Sequence, residues 1–218
     1  MSSPGSGAAR TRPDVREQVE RLLAEPAPWP IAAAGHPVLR RPAARYDARL
    51  DDLLGALVEG MRVTMLDAPG VGLAAPQIGL GLALAVLEDP GAVDDDVARV
   101  RERTPVPFRV LIDPAYTPVG SEQVAFYEGC LSVPGWQAVT PRWRSVRLTA
   151  RDETGQGVEE VLTGWSARIV QHETDHLAGR LYVDQAILRS LSSDRSAAPW
   201  LIDASPERAA QVLGFDLP

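Results

Sequence analysis

A chain of 218 residues, 45% of them hydrophobic, can bury one substantial core and suits a single domain. Net charge is −7 and lysine is absent, all 22 Lys+Arg residues being arginine, so Schiff-base chemistry, P-loop nucleotide binding and the kinase lysine are out of reach, and the acidic balance argues against a nucleic-acid surface. No apolar stretch is long enough for a bilayer, residues 1–13 lack the apolar region of a secretory signal and read as a disordered tail, and the single cysteine excludes an intramolecular disulfide and fits a reducing cytoplasm.

Residues 14–25 form an amphipathic pattern introduced by Pro13 and ended by the proline-rich run 26–30, which predicts a short helix. Residues 46–66 place Leu50, Leu53, Leu54, Leu57, Val58, Met61 and Met65 at helical spacing, the stripe of a first long core helix. The block Gly70-Val71-Gly72-Leu73-Ala74-Ala75-Pro76-Gln77 follows that helix and leads into a strand. A dinucleotide fingerprint has the opposite order, strand before and helix after, so this block is not one. Strands are predicted at 82–87, 108–112, 123–127, 146–151 and 158–163, with Glu153-Thr154-Gly155 as a hairpin turn. Between the first two strands, residues 89–107 are charged and proline-bounded and read as a solvated loop. Residues 165–178 return to helical period and stop at Gly179, a natural C-cap.

On that last helix Trp165, Ile169, His172 and His176 share a side. His172-Glu173-Thr174-Asp175-His176 sets two imidazoles four residues apart, so both can reach one metal ion while Glu173 stands beside it as a base. A catalytic site of this kind takes a third protein ligand and keeps a fourth position open. The metzincin continuation fails, because its last histidine is replaced by Tyr182. A distal acid, as in metallopeptidases, leaves Glu207, beyond several helix breakers. The remaining soft ligand is Cys130, in Glu128-Gly129-Cys130-Leu131-Ser132; with two imidazoles it makes a set for zinc or iron(II). A cysteine nucleophile with a histidine base has no need of the paired histidines. The fold class that follows is α+β, a mainly antiparallel sheet packed around a central metal-binding helix.

The three blocks 70–77, 128–132 and 171–177, in this order, resemble the peptide deformylases, with shorter echoes at His36-Pro37-Val38-Leu39-Arg40 and Pro141-Arg142. The resemblance covers residues 30–190. It implies removal of the N-formyl group from the initiator methionine of nascent polypeptides, releasing formate. It also implies one divalent metal per chain on Cys130, His172 and His176, iron(II) being favoured and zinc(II) suited to the same ligands. Glu173 then carries the proton from the attacking water to the departing amine, while the Gln77 side-chain amide and the backbone N–H of Leu131 meet the charge on the formyl oxygen. Gly72, Val71, Phe126 and Trp165 occupy the positions of the methionine pocket. Asp175 and Glu128 are candidates to orient the histidines or to pair with Arg142, and Arg168, one turn before His172, is expected to carry its charge outward.

The resemblance implies N-formylmethionyl nascent peptides as partners, met in transient contact with the ribosome, while the lone cysteine, the acidic balance and the lack of a long apolar stretch add a cytoplasmic location with neither nucleic-acid specificity nor a membrane. The segment after Tyr182 departs from it: Ser192-Ser193 and Pro199 break the basic C-terminal helix that some relatives use to dock on the ribosome. The chain divides on this reading into an extension of residues 1–28, partly disordered, a catalytic domain of residues 29–190 and a divergent C-terminal segment of residues 191–218. The loop Gly135-Trp136-Gln137 is expected to shape peptide access.

Overall fold

The computed structural model describes residues 14–92 and 94–218, and the tail expected over residues 1–13 lies outside them. Six helices are described: α1 (Val15–Leu23), α2 (Asp51–Asp67), α3 (Asp95–Val100), α4 (Trp165–Leu177), α5 (Asp194–Leu201) and α6 (Glu207–Leu213). The described strands are β1 (Gly72–Ala74), β2 (Leu84–Asp89), β3 (Val106–Pro118), β4 (Gln123–Gly129), β5 (Trp136–Trp143), β6 (Ser145–Arg151), β7 (Gly157–Thr163) and β8 (Ser192–Ser193). They form a five-stranded sheet, β1-β2-β3-β6-β7, and a three-stranded sheet, β4-β5-β8, with every pairing antiparallel.

Period-two alternation decides which side of the larger sheet each residue faces. Leu84, Val86, Val110 and Ile112 point to one side and pack with Leu54, Leu57, Met61 and Met65 of α2. Leu87 and Leu111, one position off, point the other way and meet Leu148 and Ile169 and Val170 of α4. Leu57, Met61 and Met65 are each at most 1% exposed, and burial of such a side chain contributes about 1.5–3 kcal/mol. The predicted stripe of α2 is thus the principal core, and Val19 of α1 is buried against it. The larger sheet lies between α2 and α4, while α4 also borders the smaller sheet through bonds from Arg168 to the carbonyls of Thr140 (2.8 Å) and Val124 (2.6 Å).

Three parts differ from the sequence reading. β5 was not expected, because Pro141 interrupts it and Gly135-Trp136-Gln137 reads as a loop. Proline is tolerated there because β8 pairs only with Trp136 and Gln137, so β5 is an edge strand at Pro141 and needs no N–H on that side. Residues 89–107 are not a free loop. Asp94 caps α3 by accepting from the N–H groups of Asp96 and Val97, and Arg103 returns to Asp89, whose side chain is fully buried. The segment beyond residue 190, though broken where Ser192-Ser193 and Pro199 suggest, folds over the smaller sheet: Ala209 of α6, with Trp200, Leu213 and Phe215, covers Ala125, Tyr127 and Val139. No helix among the described residues is long and apolar enough to cross a membrane.

Candidate metal centre

α4 carries the centre, and backbone geometry fixes where it stops. Its last residue, Leu177, and the C-cap Ala178 are followed by Gly179, whose φ of +76° is the left-handed conformation a C-terminal glycine supplies. A Cβ there would lie 2.9 Å from the Arg40 carbonyl carbon, so the close approach also demands glycine. On the buried side of α4 the rings of His172 and His176 lie 5.0 Å apart between centroids, as the i, i+4 spacing requires. Cys130 arrives from the turn after β4, where Ser132 N–H points at its sulfur (3.4 Å). Residues 32–34 tie this turn to the first block: Ala32 N–H donates to the Gln77 carbonyl (2.7 Å) and Ala34 N–H to the Ser132 carbonyl (2.6 Å).

Cys130, His172 and His176 each bring a ligand atom to within 4.8 Å of the others, and Cys130 Sγ lies 3.3 Å from His176 Nε2. Tetrahedral coordination at ordinary metal–sulfur and metal–nitrogen lengths sets donors about 3.5 Å apart, so the set fits a divalent ion. His172 gives Nδ1 to Glu128 Oε2 (3.0 Å), which leaves Nε2 for coordination. Buried Nδ1 of His176 has no hydrogen-bond partner among the described residues. Burial, with the nearby charges of His172 and Arg142, holds His176 well below the ordinary histidine pKa and so in the neutral form that ligates metals.

Glu128 is the hub behind His172. It receives Arg142 through Nε (2.9 Å) and Nη2 (3.0 Å), and Arg168 through Nη1 (2.5 Å). Burial alone would raise its pKa, but the charges of Arg142 and Arg168 prevail and keep it well below the carboxylate range. Arg168 does not carry its charge outward as expected: the residue is 3% exposed, its guanidinium held by Glu128 and two strand carbonyls, with burial lowering its pKa to about 10. Asp175, the other candidate orienter, turns away from the imidazoles and binds Arg142, Arg180 and Tyr116.

Glu173 is 4% exposed, and its buried Oε2 lacks a partner among the described residues. Burial raises its pKa to about 7, where a carboxylate can take and return a proton near neutral pH. The space for this carboxylate depends on Gly72, since a Cβ there would fall 2.3 Å from Glu173 Oε1. Gly72→Ala is therefore expected to push the carboxylate aside and lower kcat about 100-fold with little change in Tm. A kcat within twofold of the parent enzyme would show that the cradle is not needed.

Gln77 is oriented by its own neighbour. Its Oε1 accepts from Ala74 N–H (2.8 Å), which turns the amide nitrogen toward Cys130 Sγ (3.7 Å) and Ser132 Oγ (3.4 Å). These groups open onto a cavity of about 340 Å³. Val71, Gly72, Gln77, Leu131, Trp165 and Glu173 all line it, beside Cys130 and His172. Phe126 does not: it lies behind the wall, edge-on to Trp165 with ring centroids 6.2 Å apart. His36, the third histidine, caps a turn by accepting from Val38 N–H and is not one of the three clustered ligands. Glu207 begins α6 on a separate cleft, hydrogen-bonded to Ser205, and is no ligand. The wall also contains Arg101 and Arg103 from the supposed loop, Leu201 from α5 and Gln137 from β5. Only Gln137 falls in a segment the sequence marked for peptide access; nothing local signals the others.

Two imidazoles and a buried glutamate on one helix, met by a cysteine from the turn after β4, are the arrangement of a metal-dependent hydrolase. The family model for polypeptide deformylase matches residues 28–191. Peptide deformylase 3 of Streptomyces avermitilis is 58% identical over 98% of this chain and 99% of its own, and a peptide deformylase of Bifidobacterium adolescentis is 49% identical over 94% and 95%. Among solved structures, a Met-Ala-Ser-bound class I type b peptide deformylase from Acinetobacter baumannii superimposes with a TM-score of 0.66 at 32% identity, covering 74% of this chain and 99% of that one. An actinonin complex of a peptide deformylase from Synechococcus elongatus gives 0.62 at 33% identity, covering 88% and 89%. The chain belongs to the polypeptide deformylase family: it is an enzyme that removes the N-formyl group from nascent polypeptides.

Proposed function

We propose that deformylation takes place in this cavity with one divalent metal ion held by Cys130, His172 and His176. The observation that carries the assignment is the convergence of those three ligand atoms beside the unpartnered carboxylate of Glu173. A bound divalent ion supplies an acidified water molecule and a Lewis acid. Glu173 takes the proton of the attacking water and returns it to the departing amine, a task its elevated pKa suits. The amide of Gln77, its carbonyl already committed to Ala74, directs N–H toward the reacting carbonyl, and the backbone N–H of Leu131 completes the stabilisation of the developing negative charge. Val71, Gly72 and Trp165 bound the space for the methionine side chain, and Phe126 supports Trp165 from behind. Glu128 holds the His172 ring in the tautomer that ligates.

Iron(II) is the favoured ion on family grounds, zinc(II) fitting the same donors. The catalytic domain is residues 29–190, preceded by an extension of residues 1–28 and followed by a C-terminal segment of residues 191–218 that adds Leu201 to the cavity wall. The enzyme works in the cytoplasm, where a lone thiolate ligand stays reduced, and meets formylmethionyl chains in transient contact with the ribosome. Anaerobic purification with elemental analysis, paired with formate release from formyl-Met-Ala-Ser, tests the assignment. The expected result is one transition-metal ion per chain and turnover that disappears on chelation and returns with iron(II). Full turnover by metal-free protein would refute it.

A further inference from the structure

The turn 101–103, which follows α3, is pinned against the start of α4. Trp165 N–H donates to the Glu102 carbonyl (3.4 Å), and the Glu102 carboxylate receives Arg144 through Nε (2.8 Å) and Nη2 (2.7 Å). The two segments meet so closely that a Cβ on Gly164 would lie 2.4 Å from Glu102 Cβ. This contact presents Arg101 and Arg103 to Trp165, each guanidinium carbon 5.4 Å from its ring centroid, and both residues line the catalytic cavity.

The arginines at this end of the cavity differ in their partners. Arg103 makes a two-point pair with Asp89 (2.9 and 2.8 Å), and Arg168 is bound to Glu128. Arg101 instead donates to the backbone carbonyls of Ala204 (2.9 Å) and Asp203 (3.0 Å), which orient the guanidinium without cancelling its charge. The neighbouring carboxylates are committed elsewhere: Asp203 to Arg208, Glu102 to Arg144, Asp89 to Arg103. No ion pair to Arg101 is formed among the described residues. Burial and the nearby Arg103 lower its pKa, the direction of a half-buried cation with no counter-charge. Two of its five N–H donors are engaged; the others are free for a ligand. In a chain of net charge −7 this is a locally positive wall, and the group that a planar guanidinium matches best is a carboxylate.

We propose that Arg101 is a specificity-determining residue that pairs with a carboxylate of the formylated peptide, supplied by an acidic side chain in the residues just after formyl-methionine. The assignment rests on the deformylase reading and extends it to substrate choice. The test compares kcat/KM for formyl-Met-Ala-Ser, formyl-Met-Asp-Ser and formyl-Met-Ala-Asp as C-terminal amides, and for formyl-Met-Ala-Ser with its free carboxylate, using the metal-loaded full chain and its Arg101→Gln and Arg101→Lys variants. At least one acidic amide is expected to exceed the neutral amide about five- to tenfold in the parent enzyme. That ratio should fall to about 1 in Arg101→Gln, be partly kept in Arg101→Lys, and shrink at about 0.5 M NaCl. The salt arm tests the pairing in the parent chain, whatever the variants do to folding. Equal rates for all amides in the parent enzyme would overturn the proposal, as would an acidic preference that survives Arg101→Gln. A preference for the free C-terminal carboxylate alone would also overturn it, moving the pairing to the chain end. Formate release from the neutral amide keeps the deformylase reading intact whichever way the ratio falls.

Discussion

Glu173→Gln is expected to lower kcat on formyl-Met-Ala-Ser by about 10³-fold while metal content stays at the level of the parent enzyme. The substitution keeps the volume and leaves Cys130, His172 and His176 untouched, so the donor set within 4.8 Å survives. What is lost is a group that can hold a proton between the attack on the formyl carbon and the departure of the amine. The carboxylate is buried, its pKa is raised to about 7, and one oxygen has no partner among the described residues, so no neighbouring group shares its work. KM should change little, because the amide fills the same cradle over Gly72. Metal analysis and steady-state kinetics on one preparation decide the matter. A variant that keeps its ion and retains more than a tenth of the parent kcat would remove Glu173 from the chemistry.

Cys130→Ala should act one step earlier, by emptying the centre. The sulfur lies 3.3 Å from His176 Nε2 and receives Ser132 N–H at 3.4 Å, so it is both the soft donor and the anchor of its turn. Two imidazoles on one helix are by themselves a weak pair of ligands. Affinity is expected to fall by more than the 10- to 100-fold that loss of an outer partner costs, and turnover to become undetectable after dialysis. Stoichiometric ion and formate release in the dialysed variant would hand the third position to another group and revive the metallopeptidase-like alternative. With Glu207 in a different cleft, the acid that alternative calls on is not in place for that role.

The parts of this site that could be read from the sequence are those that depend on neighbours along the chain. The i, i+4 histidines, the α2 stripe and the glycine ending α4 are local periodicities, and each emerges where expected. The C-terminal segment and the turn 101–103 were illegible because their reasons lie far away: Arg101 is set by carbonyls about a hundred residues on, and Arg103 by a carboxylate on β2. Arg168 shows the same limit. A charged residue one turn before a ligand reads as solvated, and only the folded chain brings Glu128, Thr140 and Val124 to it. Glu128 could be named but not assigned, since orienting a histidine and pairing with an arginine were competing roles and the structure gives it both.

That double role makes residues 128, 142, 168 and 172 one unit. A single carboxylate divides its lone pairs among two guanidiniums and an imidazole, so a change in any arm redistributes the rest, and the free energies of substitutions at these positions do not sum. Drift at one of them is tolerated only on backgrounds where the others have already adjusted, so the four positions are expected to vary together or not at all.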